Sequence, residues 1–175
     1  TAQWTATAAG CTILRSSGSG PYITHVTCGK VLDKGITDAN NMGAAMAPAA
    51  YDTLSAFFQD TGTRPDEYDL ILTGDLGELG HRIVLDLFAQ QGVELGNRYQ
   101  DCGMLLYDRE RQDMHAGASG CGCSASVLNG YLLTQLRRGK WKRILFAPTG
   151  ALLSPTSSFQ GESIPGVCHA HCFQA

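Results

Sequence analysis

Short apolar runs of strand length alternate along this chain with segments of helical period, and that alternation restricts what it can fold into more than any other feature. Tyr68-Asp69-Leu70-Ile71-Leu72-Thr73 ends in Gly74 and reads as a buried strand. A helix follows at once, with Leu79, Ile83, Leu87 and Phe88 on one face and Gly92 past its end. Met104-Leu105-Leu106-Tyr107 reads as a further strand, followed by a charged turn from Asp108 to Asp113. The glycine-dense segment Ala116 to Cys123 opens another helix, whose apolar face is Val127, Leu128, Tyr131, Leu132 and Leu136 and whose cap is Gly139. Ile144-Leu145-Phe146-Ala147 makes the next buried strand and ends at Pro148-Thr149-Gly150. Helices alternating with such strands form an α/β layered sheet.

Upstream, Trp4, Ala6 and Ala8 alternate with Thr5 and Thr7, and Tyr22 to Cys28 resumes β-branched alternation after a Gly/Ser stretch from Arg15 to Gly20. The two segments read as a leading hairpin. From Asp38 the period changes: Ala47, Ala50, Leu54, Phe57 and Phe58 follow helical spacing, with a stop near Thr61-Gly62.

At 175 residues the chain suits one domain. A formal net charge of −3 lacks the basic footprint of a nucleic-acid binder, so no nucleic-acid partner is expected. No apolar stretch approaches the ~20 residues of a membrane-spanning helix. Charged residues are only 17%, against a usual ~25%, so part of the surface is expected to be covered by a partner or by further chain. Seven cysteines are an odd number without a secretion signal, and they read as reduced thiols inside a cell.

In open α/β sheets, ligands bind where strands end and helices begin. Three loops occupy such places: Thr73 to Glu78, Gly117 to Cys123, and Pro148 to Ala151. Their glycines let backbone N–H groups approach an anionic ligand. The nearest candidates are Thr73, Gly74, Asp75, Cys121, Gly122 and Thr149. Cys121 and Cys123, beside a helix start, are candidate nucleophiles, but no histidine adjoins them, and burial as small apolar residues is the plainer alternative. His81 and His115 flank the first two loops, while His25 lies in a strand. The tail Cys168-His169-Ala170-His171-Cys172 carries soft ligands, yet C-x-C and H-x-H fall outside the usual zinc spacings, so no metal or other cofactor is expected. Arg137, Arg138, Lys140, Lys142 and Arg143 form a basic cluster, a solvated helix end or a weak contact for anionic lipid.

The run Thr37 to Ala49 resembles the segment that opens the C-terminal half of thiolases, a D-x-x-x-M-G-x-x-x-x-P-A pattern leading into a helix. The loops at Thr73-Gly74-Asp75, Gly117 to Ser124 and Pro148 to Ala151 follow in matching order. Residues 41–50, 68–80, 100–110, 116–127 and 147–155 are more similar still to a non-catalytic sporulation branch of the thiolase-like proteins, and the resemblance runs to about residue 167. It implies a layered α-β-α half with a mixed five-stranded sheet, the C-terminal half of a duplicated fold whose N-terminal half is absent. It also implies binding of dipicolinic acid or its calcium chelate, and support of its uptake into the developing spore. The implied setting is intracellular, in the forespore or spore, peripheral to the spore inner membrane beside membrane proteins of the same operon, with a homo-oligomeric full-length form.

Where thiolases keep Asn-Glu or His, Gly-His-Pro and a reactive cysteine, this chain has Thr73-Gly74-Asp75, Gly120-Cys121-Gly122 and Ala147-Pro148. No residue is therefore expected to be catalytic. An acyltransferase half with a cysteine nucleophile is the alternative. Residues from Gly166 onward depart from the apolar closing strand expected after Ser163-Ile164-Pro165, and an aberrant end, truncated or frame-shifted, is expected there.

Overall fold

The computed structural model describes residues 1–108 and 110–175. Its elements in chain order are β1 (Trp4–Thr5), β2 (Tyr22–Cys28), α1 (Met42–Thr61), β3 (Leu70–Thr73), α2 (Gly77–Gln90), β4 (Tyr99–Asp101), α3 (Cys102–Leu105) and β5 (Ala118–Ser119). Then come α4 (Cys121–Val127), a π-helical turn (Leu128–Leu132), α5 (Leu133–Arg137), β6 (Arg143–Ala147), β7 (Thr149–Ala151), α6 (Pro155–Phe159) and β8 (Gly166–Gln174).

The main sheet has the order β2-β8-β6-β3-β4, with β7 as a sixth strand beside β8. β3 pairs in parallel with β4 and β6, whereas β8 runs antiparallel to β2, β6 and β7. Successive side chains on a strand point to opposite faces, and here the two faces are both buried. Ile71, Leu145, Ala147, Cys168, Ala170 and Cys172 pack under α1 and α2. Leu70, Leu72, Ile144, Phe146 and Phe173 pack under α4 and α5. The architecture is a three-layer α-β-α sandwich.

The expected helix from the Asp38 region runs over Met42–Thr61 and is closed by Gly62, whose φ of 63° is left-handed and whose N–H reaches the carbonyls of Gln59 and Phe58. Its buried residues include Gly43, Ala45, Ala47, Ala49 and Ala50, which let α1 lie close to its neighbours. At the α1–α2 crossing a Cβ on Gly43 would sit 2.4 Å from the Leu76 carbonyl oxygen, so only glycine fits. On α2 the buried line is Gly77, Gly80, Val84 and Phe88, one residue round from the expected face, and Leu79, Ile83 and Leu87 flank it half-buried.

Four expectations are corrected. There is no leading hairpin: β1 pairs in parallel with β5, Trp4 opposite Ala118, and β2 pairs with β8, Tyr22 opposite Gln174. Residues between them cross the α4 layer, with Gly10 against Ala125, so the two segments never meet. The strand expected at Met104–Tyr107 is instead the short helix α3, because the Asp101 side chain accepts from the Gly103 N–H and starts a helical turn there. The strand comes earlier, at Tyr99–Asp101. The residues past Gly166 do not depart from a closing strand: they form β8, the nine-residue strand inside the sheet, with Cys168, Ala170 and Cys172 alternating inward. Finally Tyr131 is exposed, and the buried residues toward the end of that helix are Leu132, Leu133 and Leu136, shifted by the π turn. In the expected charged turn Asp108 accepts from the N–H groups of Glu110 and Arg111, while Arg109 lies outside the described residues.

Candidate functional site

The parallel strands β3, β4 and β6 end on one edge of the sheet, and the loops beyond them meet there. Asp75, just past β3, is buried with 9% of its surface exposed. Its Oδ2 accepts from the Gly120 N–H at 2.7 Å, and its Oδ1 accepts from the Thr149 hydroxyl at 3.1 Å. The Asp75 N–H in turn donates to Thr149 Oγ1 at 3.3 Å. One carboxylate therefore ties together the three loops singled out in the sequence. Gln3 adds a fourth strand of chain, its Nε2 donating to the carbonyls of Asp75 and Ala118, each at 2.8 Å.

Burial pushes the Asp75 carboxyl up to about 6, and the nearby Asp101 charge acts in the same direction, while the Gly120 N–H and the Thr149 hydroxyl oppose them. Gly74 has no side chain for a local reason: a Cβ there would lie 2.7 Å from the Thr149 N, closing the gap that lets the first and third loops touch.

Beneath this cluster lies a second buried carboxylate. Asp101, fully buried at the end of β4, accepts from the Thr73 hydroxyl at 2.7 Å, the Leu76 N–H at 2.9 Å, the Gly77 N–H at 3.0 Å and the Gly103 N–H at 2.9 Å. It thereby serves the N-terminal amides of α2 and α3 together. Thr73 also shares a hydrogen bond with the Tyr99 hydroxyl at 3.1 Å, and the His81 ring stacks on Tyr99 at a centroid distance of 4.5 Å. Burial raises Asp101 and drives Tyr99 well above the usual phenol range.

Of the six residues expected near a ligand, Asp75, Gly74 and Thr149 come together directly. Thr73 is wholly buried and spends its hydroxyl on Asp101, which places it under the site. Gly122 is buried too, with its Cα side against the Ala8 carbonyl: a Cβ would lie 2.2 Å from that oxygen. Cys121 is exposed beside Gly120. Cys123 is buried, its thiol 3.8 Å from the Gly74 carbonyl, and burial pushes it up to about 12, so it is a neutral thiol at any ordinary pH.

Sequence spacing singles out neither Asp101 nor Gln3, and it gives Gly120 only as part of the second loop. The signal for Asp101 was present, since an aspartate directly before Cys102-Gly103 is a helix N-cap pattern. Gln3 carried no local signal, because its two acceptors are 72 and 115 residues away.

The remaining candidates lie elsewhere. His115 is exposed, stacked on Trp4 and 3.5 Å from Asp113. His25 is exposed on β2. Cys168 and Cys172 belong to the core under α1, and His169 and His171 occupy the alternate positions of β8. Among the described residues no three His, Cys, Asp or Glu side chains gather as a metal-binding group.

The family described as Stage V sporulation protein AD (SpoVAD) matches residues 1–174. Stage V sporulation protein AD of Bacillus subtilis (strain 168) is 45% identical to this chain over 174 residues, which are 99% of this chain and 51% of that protein. The chain thus spans about half the length of the curated relative it matches. Two solved structures overlap it only loosely: 3-oxoacyl-(acyl-carrier-protein) synthase III from Aquifex aeolicus VF5, at 9% identity and a TM-score of 0.43 over 86% of this chain and 44% of the enzyme, and its Pseudomonas aeruginosa PAO1 counterpart, at 14% identity and 0.40 over 86% and 51%. Scores of this size carry no argument, and kinship rests on the sequence match. By that match, across all but its last residue, the chain belongs to the Stage V sporulation protein AD family.

Proposed function

We propose that this chain is the ligand-binding, non-catalytic C-terminal half of a thiolase-like sporulation protein that holds dipicolinic acid, or its calcium chelate, and supports its uptake into the developing spore. The observation that carries this reading is the Asp75 cluster. Three strand-end loops converge on one carboxylate whose hydrogen bonds come from the protein itself, an arrangement suited to holding loops in a fixed shape rather than to moving protons. The accessible rim of the cluster is Gly120, Cys121, Thr149 and Gly150. The Gly120 N–H and the Thr149 hydroxyl already donate to Asp75, so they fix the shape of the rim against which a planar dicarboxylate would lie, beside the exposed Cys121 at the start of α4. A carboxylate so near repels a bare dianion and favours its calcium chelate.

The acyltransferase alternative is disfavoured by Cys123, whose thiol is buried and neutral. The reading sets the protein against the spore inner membrane, beside membrane-embedded partners of the same operon and as a homo-oligomer in its full-length form; no helix among the described residues is long and apolar enough to cross a membrane.

Calorimetric titration of calcium dipicolinate into the full-length protein tests the reading. Asp75→Asn should bind about tenfold more weakly, because the Asn amide cannot accept from both loops. Unchanged affinity removes Asp75 from the site. Incubation with an acyl-CoA analogue followed by mass spectrometry should show no thioester on Cys121 or Cys123, and a stoichiometric adduct on either would establish the enzymatic alternative.

A further inference from the structure

The opposite edge of the sheet carries a second candidate site, and it is basic. Apart from Glu162, every Asp and Glu of this chain lies between Asp33 and Asp113. The arm up to Leu32 and the stretch from Met114 to Gly161 therefore hold Arg15, Lys30, Arg137, Arg138, Lys140, Lys142 and Arg143 without one acidic residue. On a chain of net charge −3 this is a marked segregation.

A cavity of about 410 Å³ opens within this basic region, between the arm around Arg15 and the end of α5. Leu133 and Phe173, both largely buried, supply apolar wall, while Arg15, Arg137 and the hydroxyls of Ser16 and Ser19 supply donors, and no carboxylate side chain lines it. The arm is held in shape there by the Tyr22 hydroxyl, which donates to the Gly18 carbonyl at 2.7 Å; the Arg15 guanidinium lies beside Gly18. Among the described residues neither Arg15 nor Arg137 has an ion pair, and both are exposed. Phe173 pairs with Ile144 near the start of β6, so the cavity lies at the amino end of that strand and the Asp75 cluster lies beyond its carboxyl end. Along the helix from Cys121 to Arg137 the two are roughly 24 Å apart.

We propose that this cavity binds a phosphate group, gripped by the Arg15 and Arg137 guanidiniums and the arm's serine hydroxyls. The guanidinium fork matches phosphate oxygens in geometry as well as charge. Ile13 and Leu14 stand on the same arm, 86% and 72% exposed, so the phosphate is either free or carried on an apolar body such as a lipid.

The test uses the full-length protein at constant ionic strength, with inorganic phosphate in one arm and phosphatidylglycerol against phosphatidylcholine vesicles in the other. Phosphate should bind the natural protein, and the double variant Arg15→Ala/Arg137→Ala should lose roughly tenfold or more. Arg138→Ala, outside the cavity, should bind as the natural protein does. Retention on phosphatidylglycerol vesicles that disappears in the double variant assigns the phosphate to a headgroup, and phosphate binding without vesicle retention assigns it to a free ion. Failure to bind either probe, an unaffected double variant, or an equal loss in Arg138→Ala overturns the proposal. Both arginines are exposed and make no internal ion pair among the described residues, so the double variant should melt at the natural temperature.

Discussion

Asp75 and Asp101 stand at the ends of neighbouring parallel strands, both buried, and they are satisfied in different ways. Asp101 takes four donors, three of them backbone amides at the starts of α2 and α3, so its partners are parts of the buried scaffold. Asp75 takes one amide and one hydroxyl, each from a different loop, and lies nearer the surface. The four-donor carboxylate therefore belongs to stability and the two-donor one to the shape of a site. A loop held by a single hydrogen bond can be altered without unfolding the sheet beneath it.

The largest effect that should separate the two is Asp101→Ala. It strands three backbone amides in a dry interior and leaves the Thr73 hydroxyl only the Tyr99 hydroxyl and the more distant Gln100 carbonyl, and chemical denaturation should show a loss of about 3–5 kcal/mol. A loss below about 1 kcal/mol would erase the contrast with Asp75.

The second is a pH effect. The Asp75 pKa of about 6 in the folded chain lies above its unfolded value of 3.8, so the folded state binds the extra proton between these values. Its contribution to stability is then greatest below about pH 4 and is lost as pH rises through 6. Relative to Asp75→Asn, the natural protein should gain about 1–3 kcal/mol between pH 7 and pH 4, read from denaturant midpoints at each pH. Asp101 is coupled to Asp75 by charge, so the difference reports the Asp75 carboxyl together with any change its loss makes at Asp101. A stability difference independent of pH would mean that Asp75 is not desolvated.

Thr73→Val should follow, removing one of the four donors to Asp101 at a cost of about 1 kcal/mol in stability, with calcium dipicolinate affinity retained. A large loss of affinity would move Thr73 from the scaffold into the site. The smallest effect belongs to the exposed Cys121, where Cys121→Ser should change stability by less than about 0.5 kcal/mol.

Local signals predicted the elements that local physics builds. Helical spacing with a glycine cap located α1, and unbroken apolar runs located β3 and β6. The same logic pointed to the three loops that converge on Asp75, because strand ends in such sheets are where helix starts are exposed. What escaped was long-range or competing. The partner of β2 is β8, with Val26 opposite His171, and no short-range pattern announces a pairing across the length of the chain. Polar-looking His169 and His171 disguised β8, since they alternate with Cys168, Ala170 and Cys172, which fill the core. At Met104 the apolar run suggested a strand, but the Asp101 cap turned those residues into a helix. The convergence of the loops on a single carboxylate depends on distances that spacing in sequence cannot provide.

The central claim is that the Asp75 carboxylate holds the Gly120 amide, and an amide resonance reports this directly. In full-length protein selectively labelled with ¹⁵N-glycine, the Gly120 cross-peak should titrate with a midpoint near pH 6 as Asp75 gains its proton, and the titration should vanish in Asp75→Asn. A Gly120 amide that stays still between pH 4 and pH 8, or that titrates identically in the variant, would contradict the account.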